Sequence, residues 1–524
     1  MTKFYSYFQK RPYLAAPLIF LFALFLRSIK AGFFPLNPDE MFAVNASTSL
    51  GKAIEQSHAD LVPPFLNVTN TFLYHLGGGS IFWQRLPMIL AGALTVFLFY
   101  KILVYFKFQK PVLLSLIPAT SFILVYYSQE LRPYSYILLL SLVTLYWGFK
   151  ILIEDKYESW EIAFLIASFV ILPIAHYFTL FHFLALDIAL LIFILLFTSH
   201  KLKKILTLGL FNVFILLIFI PWADAVARNF RESKDTSSLG KLTHFDWGLA
   251  KNLFYKFSGG ADFWSIFIFL LILGSFCYLL FCFIKSWRGK NFIPQDLFVL
   301  FTTLYLLAFL AVFPHFSFGR LLVWRYLIFL IWPFLILLTY GLSGLWKAKR
   351  QWQYLGLTIF GLILASNLLN TSAYLLSPNR FIDWRSIANL VEEKFQNEGK
   401  TKVILHNFGN LNYLRFYLQD KSIPVEYITT PAMTIGPIEK LQQELQCCAS
   451  SIIYIHIREQ TLLSPQKTET PANRKLEEIA DTFYKNRQVV GQSRFLDFLD
   501  RRKVNPYWGY PFEFGGYLPP IVYF

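Results

Sequence analysis

Four groups of polar residues carry side chains able to do chemistry. The first is Asn37-Pro38-Asp39-Glu40, with Arg27 and Lys30 shortly before it. Adjacent carboxylates on opposite sides of a local backbone seldom share one task. One of this pair could act as a general base, taking the proton of a hydroxyl whose oxygen attacks an anomeric carbon. The structural alternative is a turn that caps a loop helix. The second group, Tyr127-Ser128-Gln129-Glu130-Leu131-Arg132-Pro133-Tyr134, packs a carboxylate, a guanidinium and two phenols into a short run. The planar donor fork of arginine suits phosphate, so Arg132 could hold a lipid-linked phosphate as its sugar leaves. A local Glu130 to Arg132 pair at a membrane surface is the alternative. The third group runs from His315 to Tyr326 and includes Arg320, Trp324 and Arg325, and the fourth is His176-Tyr177. His182 and Asp187 lie inside an apolar stretch, where a contact between helices explains an ionisable group as well as a substrate does.

The elements that must position these groups are set by lipid. Of the 524 residues, 56% are hydrophobic and only 15% charged, which leaves too little polar surface for an ordinary soluble domain. Mean hydropathy is +0.47. Eleven apolar segments are read as membrane spans: 13–29, 86–105, 111–125, 134–153, 160–175, 178–197, 205–222, 263–284, 297–313, 324–345 and 354–369. Basic residues gather in every second loop: Lys10 and Arg11, Lys107 and Lys110, Lys150 and Lys156, Lys201 to Lys204, Lys285 to Lys290, and Lys347 to Arg350. This is the positive-inside pattern, so those loops and the N-terminus are expected in the cytoplasm and all four polar groups outside it. The net charge of +16 then reports topology, not nucleic-acid binding.

The expected fold is an α-helical polytopic membrane protein of about eleven transmembrane helices. A membrane domain over residues 1–372, with large outer loops at 30–85 and 223–262, precedes an extracytoplasmic α/β domain over 373–524. In the latter, β-branched runs at 402–405, 425–429 and 451–457 alternate with amphipathic stretches at 411–418 and 438–445. Cys277, Cys282, Cys447 and Cys448 fit neither a disulfide framework nor a zinc site. There is no GxGxxG after a strand, no GxxxxGK[ST], no GxSxG and no HExxH. An enzyme without a nucleotide site, working outside the cytoplasm, needs a donor already delivered there, and a polyprenyl-phosphate sugar meets that need.

The same residues resemble a known family. Asp39-Glu40 after the first span, Pro63-Pro64-Phe65, Arg85-Leu86-Pro87, Pro221-Trp222, Arg325-Tyr326 with Pro333, and Asp383-Trp384-Arg385 occur in an order similar to that of the C-type membrane glycosyltransferases. Ser128 to Tyr134 is close to that family's SQEARxY. The likeness is to glycosyltransferase family 39, which holds the protein O-mannosyltransferases and the aminoarabinose transferase of lipid A. Val62 stands where many relatives have histidine, and the lysine-rich loop signature of the aminoarabinose enzyme is missing, which tells against lipid A as acceptor. The resemblance implies inverting transfer from a polyprenyl-phosphate sugar to a hydroxyl-bearing glycolipid, glycan or protein at the outer face of the plasma membrane. Asp39 and Glu40 would be the catalytic pair, with Asp39 the base. Arg27, Arg85, Glu130, Arg132, Tyr134, His176, Arg325 and Tyr326 would shape the donor-phosphate and substrate site. No metal or cofactor is required, although two neighbouring carboxylates could hold a divalent cation. A transporter or lipid flippase shares the spans and the basic loops, but key polar groups near the membrane midplane would be expected of it.

Overall fold

In lipid a backbone must satisfy its own hydrogen bonds, so an apolar chain of this length folds as helices or as a closed barrel. This chain folds as helices in its computed structural model, which describes residues 12–34, 36, 38–59, 64–154, 157–235, 247–258, 262–289, 292–316, 324–376, 384–406, 414, 417–418, 423–428, 443, 445–446, 452–456, 487–489 and 521–523. Two compact units emerge: residues 1–32 with 42–375, and residues 33–41 with 376–524.

The first unit is helical. In chain order its helices begin with α1 (Pro12–Ser28), α2 (Pro38–Ala46, which starts in the other unit), α3 (Leu50–Ala59), α4 (Pro64–Leu76) and α5 (Ile81–Tyr105). They continue with α6 (Pro111–Thr120), α7 (Phe122–Ser128), α8 (Tyr134–Leu152), α9 (Ser159–Ala175), α10 (Thr179–Phe197) and α11 (Lys201–Asp235). The last are α12 (Trp247–Phe257), α13 (Asp262–Gly289), α14 (Pro294–Val312), α15 (Ile331–Lys347) and α16 (Arg350–Leu376). Among the described residues eight helices are long and apolar enough to cross a membrane, α1 and α9 are shorter apolar helices, and α6 and α7 form a pair bent by 59°. The chain is thus a multi-pass membrane protein. α5 is the central strut, packed on α1, α6, α7 and α8. α15 is almost wholly enclosed, and its Trp332 Nε1 donates to Leu138 O on α8 at 3.0 Å. By contrast α11 and α13 leave most of their apolar surface uncovered, as lipid-facing helices do.

Three regions differ from the sequence reading. Residues 30–85 hold three helices, α2 to α4, and Phe65 of α4 packs edge-on to Tyr136 at 5.1 Å. The span read at 205–222 continues as helix to Asp235, so the start of the expected loop at 223–262 is helical, and α12 follows in it. The segment read as one span at 111–125 is broken at Ser121, whose φ of −60° and ψ of 122° are extended.

That break exposes the last four carbonyls of α6, and in a bundle interior each needs a donor. All four find a side chain. Asn367 Nδ2 donates to Ile117 O at 3.3 Å, Arg27 Nη2 to Pro118 O at 3.3 Å, Arg27 Nη1 to Ala119 O at 3.1 Å, and Thr371 Oγ1 to Thr120 O at 2.8 Å. A cation at a helix C-terminus also meets the negative end of the helix dipole. Gly92 of α5 lies against this set of bonds: a Cβ there would clash with Ser128 Oγ and come within 3.0 Å of Arg27 Nε. Gly92→Ala should therefore destabilise by about 1–3 kcal/mol, overpacking outweighing the helix propensity gained, which is about 1 kcal/mol. Gly209→Ala on α11, where a Cβ meets nothing within 4 Å, should be neutral or mildly stabilising. Thermal unfolding of the two variants in detergent checks the contrast.

The second unit holds α17 (Trp384–Asn397) and strands β1 (Lys402–His406), β2 (Val425–Ile428), β3 (Ile452–His456), β4 (Arg487–Val489) and β5 (Ile521–Tyr523). They form one sheet in the order β2-β1-β3-β5-β4. β1 is parallel to β2 and β3, while β5 is antiparallel to β3 and β4, so the sheet is mixed. Val403, Leu405, Ile453 and Ile455 are buried in it, and α17 buries Trp384, Ile387, Ala388 and Val391 at helical spacing. The strip at 33–41 belongs here. Leu36 N donates to Tyr417 Oη at 3.4 Å and Arg385 Nη1 to Phe33 O at 3.3 Å.

Candidate active site

The Ser128 to Tyr134 turn is built by proline and by one buried leucine. Proline disfavours helix in the residue before it and starts a new one readily, and α8 begins directly after Pro133. Leu131 is fully buried, and the Arg132 amide donates back to Glu130 O at 2.8 Å. This tight turn sets Glu130 and Arg132 on either side of an apolar anchor. Glu130 is buried and Arg132 half-buried.

Around the turn, residues from two other segments converge on Tyr134. Tyr134 lies within electrostatic range of Glu130, Arg132, Arg325 and Tyr326. His176, in the turn after α9, packs on Tyr326 with ring centroids 4.5 Å apart and lies 6.3 Å from the Tyr134 ring. Phe178 closes the stack, 5.1 Å from Tyr326. The Arg325 guanidinium sits 5.7 Å from the centroid of the Tyr326 ring, and Arg325, His176 and Tyr134 are all buried. Of the sequence candidates, the structure thus brings together Glu130, Arg132, Tyr134, His176, Arg325 and Tyr326. Two guanidinium groups accompany one carboxylate, a surplus of positive charge that suits phosphate.

Burial first, then the Arg132 and Arg325 charges, push the His176 pKa down from 6.5 to about 3. The ring is therefore neutral at physiological pH. Phe178 N donates to His176 Nδ1 at 3.2 Å, which assigns the ring proton to Nε2. His176 can then offer a neutral hydrogen bond without adding a third cation to the cluster. Because the unfolded chain binds a proton that the folded site refuses, this histidine's contribution to stability is present above about pH 6.5 and is lost as pH falls below it. NMR of labelled histidine should show no titration of His176 between about pH 5 and 8. Replacement by glutamine should flatten the acid side of the stability profile.

Arg27 and Arg85 have other work. The Arg27 guanidinium also donates to Ser128 Oγ and Ala23 O, both at 3.1 Å, so with Pro118 O and Ala119 O it faces four protein acceptors. That geometry holds the break between α6 and α7. Arg85 is buried and its Nη1 donates to Ala31 O at 2.6 Å, where the chain leaves α1. His182 is held by Thr144 Oγ1 and Tyr305 Oη, each at 2.8 Å, and so serves contacts between helices.

Asp39 and Glu40 open α2, with Pro38 at the first helical position, and they group with the second unit. Consecutive helical residues point about 100° apart. Glu40 is buried and Asp39 half-buried, so the two carboxylates face different surroundings. Among the described residues no three His, Cys, Asp or Glu side chains group as metal ligands. Arg320, Asp383, Pro63, Cys447 and Cys448 lie outside the described residues. Two residues that sequence reasoning did not single out, Gln129 and Tyr374, join the turn to the ends of α1 and α16. The only signal was the place of Gln129 between Ser128 and Glu130.

Neither a protein-family model nor a curated protein sequence matches the chain. Solved structures do. ArnT from Cupriavidus metallidurans bound to undecaprenyl phosphate aligns with a TM-score of 0.51 at 14% identity, covering 91% of this chain and 96% of that one. ArnT from the same organism in the apo state aligns with a TM-score of 0.51 at 15% identity, over the same shares of both chains. The likeness shows the fold, which is the C-type fold that the sequence motifs resemble.

Proposed function

We propose that the protein is a membrane glycosyltransferase that moves a sugar from a polyprenyl-phosphate donor to a hydroxyl-bearing acceptor at the outer face of the plasma membrane. The observation that carries this reading is the convergence of Arg132 and Arg325 on Tyr134 and His176. That the ArnT of like fold is bound to undecaprenyl phosphate supports the choice of lipid. The N-terminus is cytoplasmic in this reading, and the second unit lies outside.

Transfer proceeds with inversion. The acceptor oxygen attacks the anomeric carbon from the face opposite the phosphate, and Asp39 takes the hydroxyl proton. The bond from that carbon to the phosphate oxygen breaks, and its electron pair leaves with polyprenyl phosphate. Arg132 and Arg325 stabilise the growing negative charge, where fixed donors in a partly dry site act most strongly. Glu130 holds Arg132 in place, and the His176 Nε2–H and Tyr326 line the sugar. The acceptor is a glycolipid, a glycan or a protein.

The test is transfer of label by the purified chain in proteoliposomes. Undecaprenyl phosphate carrying labelled glucose, mannose or aminoarabinose would be supplied, with an extract of cell-envelope glycolipids and proteins as acceptor. Label in an acceptor, with release of undecaprenyl phosphate, is the expected outcome. No transfer from any of the three, together with movement of labelled lipid between leaflets, would replace transfer by transport.

A further inference from the structure

The chain leaves the membrane unit after Gly32 and again after Leu375. One side chain reaches the helix end before each departure. Gln129 Nε2 donates to Arg27 O at 2.9 Å and to Ile29 O at 2.8 Å, at the end of α1. Its Oε1 accepts from Tyr374 Oη at 2.9 Å, near the end of α16. Tyr374 is fully buried, with its ring 5.5 Å from Tyr126 and 5.4 Å from Phe122. Gln129 itself is fully buried and directly precedes Glu130 and the Arg132 turn.

The first exit is also strained. Lys30 adopts φ of +56°, a left-handed conformation that costs a residue with a side chain about 1–2 kcal/mol and is usually left to glycine. The carbonyls on either side of it are held: Ile29 O by Gln129, and Ala31 O by Arg85. A strained residue between two clamped carbonyls holds the end of α1 in a single geometry.

We propose that Gln129 is a positioning residue for transfer. Its amide ties the turn that presents Glu130 and Arg132 to the ends of α1 and α16. This inference rests on the transfer reading above. It assigns to the middle of the Ser-Gln-Glu run a role separate from substrate contact: Arg132 presents donors to the phosphate, and one amide sets where its turn sits. Geometry matters here because a misplacement of about 1 Å can cost roughly a hundredfold in rate.

Three variants separate the three bonds. Gln129→Met keeps the shape and removes every bond, Gln129→Glu keeps an acceptor for Tyr374 and loses both donations, and Tyr374→Phe removes the third bond alone. The assay is transfer from the labelled undecaprenyl-phosphate donor that serves the native chain, per folded molecule. Both Gln129 variants should lower kcat by roughly thirtyfold or more with donor KM changed less than about threefold, and Tyr374→Phe should lower kcat only severalfold. In parallel, backbone amides of residues 29–32 should exchange hydrogen faster in Gln129→Met while those of α15 do not. A merely structural role predicts less folded protein with unchanged kcat, and kcat within about twofold of native overturns the inference while leaving the function intact. If the native chain transfers nothing, the function fails, and the exchange of residues 29–32 decides alone: unchanged exchange overturns the inference. Should Gln129→Met not fold, Tyr374→Phe carries the test, and unchanged kcat together with unchanged exchange at 29–32 in that variant overturns the inference.

Discussion

Asp39→Asn should transfer sugar more than about a hundredfold more slowly than the native chain at matched levels of folded protein, as loss of a general base requires. The amide matches the carboxylate in shape and keeps an acceptor oxygen, so α2 should form as before and donor KM should hardly change. What disappears is the ability to take a proton from the attacking hydroxyl. Glu40→Gln makes the internal comparison. Glu40 is buried whereas Asp39 is half-buried, so the Glu40 change should act mainly on folding, with less folded protein and a smaller loss of kcat. Equal transfer by Asp39→Asn and the native chain would move the base to Glu40 or Glu130. Measuring kcat, donor KM and folded yield for both variants distinguishes these cases.

The division between these carboxylates shows what a sequence can carry. Asp39 and Glu40 stand out because charge is scarce in an apolar chain. The apolar segments are legible for the same reason, and eight helices among the described residues are long and apolar enough to cross a membrane. Hydropathy does not see direction, however. The run at 111–125 is uniformly apolar, and nothing local marks Ser121 as the place where α6 stops and α7 starts. The consequences of that break are long-range. The freed carbonyls are answered by Arg27, Asn367 and Thr371, the last two about 250 positions from the groups they serve. An arginine at the end of a span reads as an anion ligand in sequence alone, and the carbonyls that Arg27 meets lie too far along the chain to be read locally. The β1, β2 and β3 runs were visible as β-branched clusters, while β4 and β5, at three residues each, are too short to show a period. The membership of residues 33–41 in the second unit had no local signal, because it depends on Tyr417 and Arg385.

Arg132→Met should lower kcat/KM by roughly a hundred- to a thousandfold, the loss expected when one donor to a developing negative charge is removed. Arg132→Lys should recover only part of it, since a single ammonium keeps the charge but not the planar fork. A rate loss alone would not place Arg132 in this cluster, but His176 supplies a second readout. Its pKa is depressed by burial first and by Arg132 and Arg325 after that. Removing the Arg132 charge should raise it, because a nearby cation disfavours a protonated ring. Burial remains in the variant, so the value should stay below the ordinary 6.5. Arg132→Lys keeps the charge and should leave His176 nearly where it was. The two readouts therefore separate in the lysine variant: histidine titration follows charge, and transfer follows the fork. Matching behaviour of both in Arg132→Lys would mean that the site uses Arg132 as a point charge. An unmoved His176 in Arg132→Met would mean that the guanidinium does not act on the ring, and the phosphate would then have to be assigned to Arg325.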